Sequence, residues 1–322
     1  MKNLDYNKIM CVIGIVLITM FYVVLVIDSI NYDIFNTYPF YITILIRIIE
    51  FWLPGALLIY LYNQNTNLKE TMHIVKHNKL PKSFNGYKIA HISDFHNTNS
   101  NKITSRIIEA LNKNKPDIIV ITGDLIDSRR TNISNAKMFL QKIINIAPVY
   151  YVLGNHESRL YNVQKLVDEA RNIGVNVLRN VSIKLEKQDE NIEVLGIDDP
   201  AFYVQFENNY EIEKKARNVL EKVVNNSERF KVLLIHRPEL IHIYAKFGFD
   251  LVFTGHAHGG QIRLPLVGGI IAPGQGLFPK YTKGIYKLNN TQMILSRGVG
   301  NSKFPFRVNN RPEIIFVTLI SK

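Results

Sequence analysis

Cysteine is nearly absent. Cys11 is the sole thiol in 322 residues, which excludes an intramolecular disulfide, a disulfide-stapled scaffold and any metal site built on several thiolates. Acidic residues are also scarce, 27 against 39 Lys and Arg. Residues 1–65 hold Lys2, Lys8 and Arg47 against Asp5, Asp28, Asp33 and Glu50, so residues 66–322 keep 36 basic and 23 acidic side chains, a surplus of +13. Such a surplus favours anionic partners: phosphate esters, acidic lipid surfaces or nucleic acid. No repeat, low-complexity tract or Gly-X-Y period occurs, and collagen, coiled coil and extensive disorder are excluded. What is present is a 47% hydrophobic share with mean hydropathy near zero, high for a chain that lives wholly in water.

Residues 9–27 run for 19 positions without a charge, and as a helix they rise about 28 Å, close to the roughly 30 Å of a hydrocarbon core. The run exceeds the apolar core of a cleaved signal peptide, and no small-x-small site follows it. A membrane span at 9–27 is therefore expected. Residues 38–62 form a second apolar stretch, interrupted by Arg47, Glu50 and Pro54. A central Arg costs about 2.5–3.5 kcal/mol on insertion scales, and Glu50, three residues on, can pair with it on one helix face. An interfacial helix satisfies the same pattern. Loop charge favours a hairpin, because no Lys or Arg lies between Asp28 and Leu45, whereas Lys2 and Lys8 precede the first stretch and Lys69, Lys76, Lys79 and Lys82 follow the second. By the positive-inside rule both flanks then face the cytoplasm. The expected organisation is a membrane anchor over 1–65, a linker over 66–84 and a globular domain over 85–322 on the cytoplasmic side of the cell membrane.

From about residue 80 short apolar runs alternate with amphipathic stretches, the pattern of an α/β fold. Strands are predicted at 88–93, 118–122, 149–153, 192–197, 231–235 and 251–254, and later at 284–288, 292–296 and 313–319. The unbroken run of Ile118, Ile119, Val120 and Ile121 describes a central strand covered on both faces. Leu160, Val163, Leu166, Val167, Ala170 and Ile173 recur at helical spacing, with Gly174 as the stop.

Where these strands end, metal-ligating residue types recur: Asp94 and His96, Asp124 and Asp127, Asn155 and His156, His236, then His256 and His258. Carboxyl ends of strands line the ligand crevice of an open α/β sheet, so residues distant in sequence can converge there. Singly each has a plain structural reading: Asp94 as a cap, Asn155 in a left-handed turn, His236 as a satisfied core histidine. Together they are oxygen and nitrogen ligands without a thiolate, an inventory that suits divalent manganese, iron or zinc better than a closed structural zinc site or a histidine-poor magnesium site.

The blocks SDFH, GDLID, GNHE, LIHRP and GHAHGGQ closely resemble the five motifs of the calcineurin-like metallophosphoesterase superfamily, over the chain from about residue 80 to its end. The later blocks RLPLVGGIIAPGQGLFPKYTKGIY, SRGVGNS and RPEI look like its bacterial membrane-associated branch, some of whose members cleave lipid-linked pyrophosphates. One departure is Asn97-Thr98, where many members carry a Gly after the histidine. The resemblance implies a four-layer α/β/β/α sandwich of two mixed sheets, and a membrane-anchored phosphoesterase acting on a phosphodiester or pyrophosphate, with a lipid-linked substrate as one class. It implies two divalent metal ions, Mn first and Fe or Zn as alternatives. Asp94, His96 and His258 would hold one ion, Asn155, His236 and His256 the other, and Asp124 would bridge both. Two such ions lower the pKa of a shared water and clamp attacking and leaving oxygens, which makes a metal-held hydroxide the nucleophile. His156 would donate a proton to the leaving oxygen or stabilise phosphoryl charge.

Asp127 reads as a surface turn carboxylate, with orientation of a histidine as its other role. Arg237, beside a ligand in sequence, is the candidate phosphate clamp, ahead of Arg263 and Arg297. The charge-free stretch 264–278 reads either as a flap touching an acyl chain or the bilayer, or as a buried connector. Competing functions are a nucleotide or nucleic-acid phosphodiesterase and a non-catalytic metal-binding scaffold. No aromatic-interleaved basic track points to a nucleic-acid partner.

Overall fold

The computed structural model describes residues 19, 22, 39–98, 100–205, 208–301, 304 and 306–322. The span expected over 9–27 lies outside the described residues save Thr19 and Tyr22. Two compact units divide the chain, Met1–Asn65 and Thr66–Lys322. In the first, helix α1 (Phe40–Thr66) is long and apolar enough to cross a membrane, with mean hydropathy 2.0 over an 18-residue window in which no described residue is buried. Trp52 and Tyr41 are 67% and 71% exposed on it. Pro54 lies inside the helix.

The second unit is a mixed α/β fold. Its elements in chain order are β1 (Lys69–His77), β2 (Lys88–Ile92), α2 (Asn101–Asn114), β3 (Ile118–Thr122), α3 (Ile133–Ile143), β4 (Val149–Val152), the single turn α4 (Asn155–Ser158), α5 (Val163–Asn172), β5 (Asn176–Val177), β6 (Val181–Lys187), β7 (Glu190–Gly196), α6 (Asn209–Val223), β8 (Lys231–Leu234), α7 (Ile241–Lys246) and β9 (Leu251–Thr254). Four two-residue strands follow, β10 (Arg263–Leu264), β11 (Gly268–Gly269), β12 (Ile271–Ala272) and β13 (Gly276–Leu277), then β14 (Gly284–Leu288), β15 (Thr291–Leu295) and β16 (Glu313–Ser321). Among the described residues two six-stranded sheets form, in the orders β1-β16-β2-β3-β4-β5 and β14-β15-β9-β8-β7-β6. Strands β2, β3 and β4 run parallel in one sheet, and β7, β8, β9 and β15 in the other.

Period-two alternation sorts the core into layers. Ile118 and Val120 pack with Val232, Leu234, Leu251 and Phe253 between the sheets. Ile119 and Ile121 face the other way, towards Ile107 of α2, Phe139 of α3 and Leu166 of α5. On the far sheet Leu233 and Val252 meet Ile212 and Leu220 of α6 and Ile243 of α7. Helices thus cover both outer faces, the α/β/β/α order the sequence blocks implied. Helix α5 starts where Asn162 accepts a hydrogen bond from Lys165 N, and ends before Gly174 at φ +92.

Residues 66–84, expected to be a linker, instead contain β1. It pairs in parallel with β16, Lys69 opposite Glu313 through His77 opposite Ser321. A polar edge strand half open to solvent lacks a strong local signal, and its partner lies at the other end of the chain.

Candidate metal centre

The carboxyl ends of β2, β3 and β4 in one sheet, and of β8 and β9 in the other, release Asp94, His96, Asp124, Asn155, His156, His236, His256 and His258 into one place, all buried. The backbone turns sharply to aim them. Asp94, His96, Asp124, His256 and His258 take φ of 53°, 47°, 52°, 69° and 46°, the left-handed region that costs a non-glycine residue about 1–3 kcal/mol and persists where surrounding structure enforces it. Close approach of the loops demands glycine at 154: a Cβ there would sit 2.3 Å from Asp124 Oδ1.

The ligand-type atoms form two groups, Asp94 with His96, Asp124 and His258, and Asp124 with His236 and His256; within each they lie within 4.8 Å of one another. Asp124 belongs to both. His258 Nε2 is 3.3 Å from Asp94 Oδ1, and His236 Nε2 is 3.2 Å from Asp124 Oδ2. Nδ1 of His236 lies 2.6 Å from the Thr122 carbonyl, a contact that requires the ring proton on Nδ1 and aims an Nε2 lone pair at the centre. Asn155 Oδ1 and His256 Nε2 are buried without a hydrogen-bond partner, a costly state for polar atoms unless a ligand satisfies them. His96 Nε2 and His258 Nε2 face each other at 3.1 Å; their lone pairs repel unless a proton or a cation lies between them. The donor set therefore fits divalent metal ions.

The electrostatics agree. Burial holds His96 down to about 3 and His256 and His258 well below the ordinary histidine range, so these rings are neutral and free to act as ligands. Burial also pushes Asp94 up to about 6. Burial alone would lower His236, yet the adjacent Asp124 and Asp94 carboxylates raise it to about 10; burial would raise Asp124, yet the His236 charge and hydrogen bond, together with His156 and His96, hold it well below the usual carboxylate range. Without metal, a proton on His236 takes the place of a cation.

Glu157, which the sequence reading passed over, ties the loops together. Its Oε2 accepts from Asp124 N at 2.9 Å and Gly154 N at 2.7 Å, and its Oε1 from Ile126 N at 3.1 Å. Its position three residues after Gly154, at the start of a helical turn, is the local signal that identifies such a residue. Asp124 Oδ1 accepts from His156 N at 2.9 Å. Burial and the Asp124 charge push Glu157 up to about 7.

His156 Nε2 lies 4.0 Å from Asp124 Oδ2. Its Nδ1 faces two groups with opposite demands, the Ser128 amide at 3.1 Å, which donates to a neutral ring, and Asp127 Oδ1 at 3.4 Å, which attracts a protonated one. Nε2 carries a proton in both forms and can donate towards the centre. Although burial opposes it, Asp127 raises the His156 pKa. Asp127 is thus no surface turn carboxylate: it is 5% exposed, and Arg129 donates to both its oxygens at 2.9 and 2.8 Å.

Asp124, Asn155, His156, His256 and His258 open onto a cleft of about 390 Å³ whose lining also includes Arg129, Arg159, Arg237 and the Pro273–Gly274 edge. Arg237 is buried there, its Nε 3.0 and 2.9 Å from the two Asp199 oxygens. Arg263 donates instead to the Gly259 carbonyl and Thr282 Oγ1, and Arg297 Nε lies 3.5 Å from Glu313. Arg129 and Arg159 carried no motif and are visible only through the cleft.

Comparison with known proteins points the same way. Residues 87–260 match the family model for calcineurin-like phosphoesterases. Relatives include the metallophosphoesterase YkuE of Bacillus subtilis, 30% identical over 79% of this chain and 86% of that protein. The phosphodiesterase YaeI of Escherichia coli is 27% identical over 64% of this chain and 71% of its own. A Danio rerio transmembrane protein with a metallophosphoesterase domain is 28% identical over 75% of this chain and 55% of that one.

Proposed function

Because this chain belongs to the calcineurin-like phosphoesterase family, and is therefore a metal-dependent hydrolase, we propose that it is a membrane-anchored enzyme using two divalent ions, manganese first, to hydrolyse a phosphodiester or pyrophosphate bond, with lipid-linked substrates the favoured class. The observation that carries the reading is Asp124, whose carboxylate belongs to both ligand groups: its two anionic oxygens can serve two cations at once. Asp94, His96 and His258 complete one set, and Asn155, His236 and His256 the other. Bound there, the two ions supply Lewis acidity, an activated water and a clamp on attacking and leaving oxygens. The protein's own part is positioning and proton supply. Neutral His96, His256 and His258 add no charge that would oppose a cation. His156 presents Nε2–H to the leaving oxygen, with Asp127 behind Nδ1 to stabilise the imidazolium form. Arg237, with Arg129 and Arg159, lines the cleft with positive charge that suits a phosphoryl group.

Anchoring at the cell membrane is supported by the length and apolarity of α1, and the lysines that precede the first apolar stretch and follow the second favour a cytoplasmic catalytic unit. The test is manganese-dependent hydrolysis of a chromogenic phosphodiester and the matching monoester by purified protein, beside Asp124→Ala. Diester turnover that requires metal and disappears in the variant is expected. Metal-loaded, folded protein that cleaves neither ester nor any lipid pyrophosphate would return the chain to the binding-scaffold reading.

A further inference from the structure

The segment after the last ligand pair folds into two small hairpins, β10 with β11 and β12 with β13. It is not the buried connector that its lack of charge allowed. Leu266 is 108% exposed, Phe278 67%, Leu277 66% and Val267 55%. Leu266 and Phe278 also hold φ of +66 and +51, where Gly or Asn is the low-cost choice and a bulky side chain is strained. Folding in water gives no reason for leucine and phenylalanine at these positions. The hairpins are tied to the metal centre: Ile270 N donates to Gly260 O, Arg263 Nη1 to Gly259 O, and Pro273 and Gly274 line the cleft.

The segment itself carries charge of one sign, and the acids that approach it, Glu239 against Gly274 and Glu313 beside Arg297, are largely buried. From 251 to 312 the chain has no Asp or Glu and eight Lys or Arg. Lys280 is exposed beside Phe278, and Lys283 is half-buried among Arg263, Arg297 and Lys69, whose charges add to burial in depressing its pKa. Lys69 opens β1 just after α1 ends at Thr66, so the chain enters the catalytic unit among these same cations. Apolar side chains that project beside a basic rim are the pattern of insertion into an anionic lipid surface, whereas a protein partner would not require a segment free of acidic residues.

We propose that the β10–β13 hairpins dock onto the anionic bilayer that carries the anchor, with Leu266, Val267, Leu277 and Phe278 entering the interface and Lys280 and Lys283 against headgroup phosphates, so that the Pro273–Gly274 edge of the cleft opens at headgroup level. This rests on the membrane-anchored reading above. The test uses the full chain with Cys11→Ser and single cysteines introduced as Leu266→Cys, Phe278→Cys or Asp189→Cys. Asp189 is exposed in the β6–β7 turn, at the opposite end of the strands. Each variant carries an environment-sensitive fluorophore and is reconstituted in vesicles of phosphatidylglycerol with phosphatidylcholine, or of phosphatidylcholine alone, containing doxyl-labelled lipid.

The expected result is a blue shift and doxyl quenching at 266 and 278 in anionic vesicles, weaker in neutral ones, absent at 189, and reduced by Lys280→Glu with Lys283→Glu. Emission at 266 and 278 as water-like as at 189 would overturn docking. Quenching indifferent to lipid charge and to the lysine reversals would overturn the headgroup contact. Flotation of the protein with vesicles reports the anchor separately, and turnover of a soluble diester reports the metal centre and the fold.

Discussion

Replacing Glu157 by glutamine isolates a residue that touches neither substrate nor metal yet governs the site. The carboxylate, with no solvent exposure, accepts three backbone N–H bonds from Asp124, Gly154 and Ile126. A glutamine oxygen at the Oε2 position keeps the two shorter bonds without their charge, and its NH2 then faces the Ile126 N–H, donor against donor. Because burial and the Asp124 charge hold Glu157 up at about 7, loss of its charge costs little near neutral pH, whereas the lost Ile126 bond is worth about 1 kcal/mol and its unsatisfied buried donor costs about 1–3 kcal/mol. A loss of about 2–4 kcal/mol follows, and for a unit of this size about 2–4 °C in Tm per kcal/mol. Because the Asp124 and Gly154 loops are held through this carboxylate, metal affinity should fall about 10–100-fold, as for groups that orient ligands. Thermal denaturation of the metal-free protein, manganese titration and diester turnover with and without excess metal measure these separately. Turnover restored by excess manganese in a less stable protein is the expected pattern. Wild-type Tm together with wild-type metal affinity would refute the reasoning.

His156→Gln should lower turnover by about 10²–10⁴-fold for a poor leaving group, less for a nitrophenolate, and leave metal content unchanged; equal losses on both esters would exclude proton donation. Gly154→Ala should displace Asp124, since the new Cβ would lie 2.3 Å from its Oδ1, and metal analysis should show reduced occupancy. The pH dependence has a definite sign. Asp94 and Glu157, raised to about 6 and about 7, and His236, raised to about 10, bind more protons folded than unfolded; their contribution to metal-free stability is full at low pH and is lost as pH rises through those values. Metal must displace the Asp94 and His236 protons, so manganese affinity should climb between about pH 6 and 10 with proton release into weak buffer. Affinity that stays flat over that window would contradict the His236–Asp124 pairing.

Legibility varied by element for physical reasons. The strands at 118–122 and 251–254 coincide with β3 and β9 because a strand covered on both faces must be apolar throughout. The candidate ligand residues stood out because each follows such a strand, where an apolar run gives way to Asp, Asn or His. Strand β1 was missed since edge position lets it stay polar, and its pairing with β16 is a contact between opposite ends of the unit. Asp127 was misplaced because DLID reads locally as a turn, whereas its burial comes from Arg129 and from His156 on another loop.

By itself the sequence determined the α/β alternation, the candidate-ligand inventory and the apolar segment fit for a membrane, since each is encoded by residue type and short-range period, while the layer order followed only from the resemblance of its five blocks. Tertiary structure alone decided that Asp124 stands between two ligand groups, that Glu157 clamps two loops by three amides, that Arg129 and Arg159 face the cleft, and that the charge-free hairpins present leucine and phenylalanine outward. These depend on which distant backbone segments come within a few ångströms of each other, and no local pattern of residues records that distance.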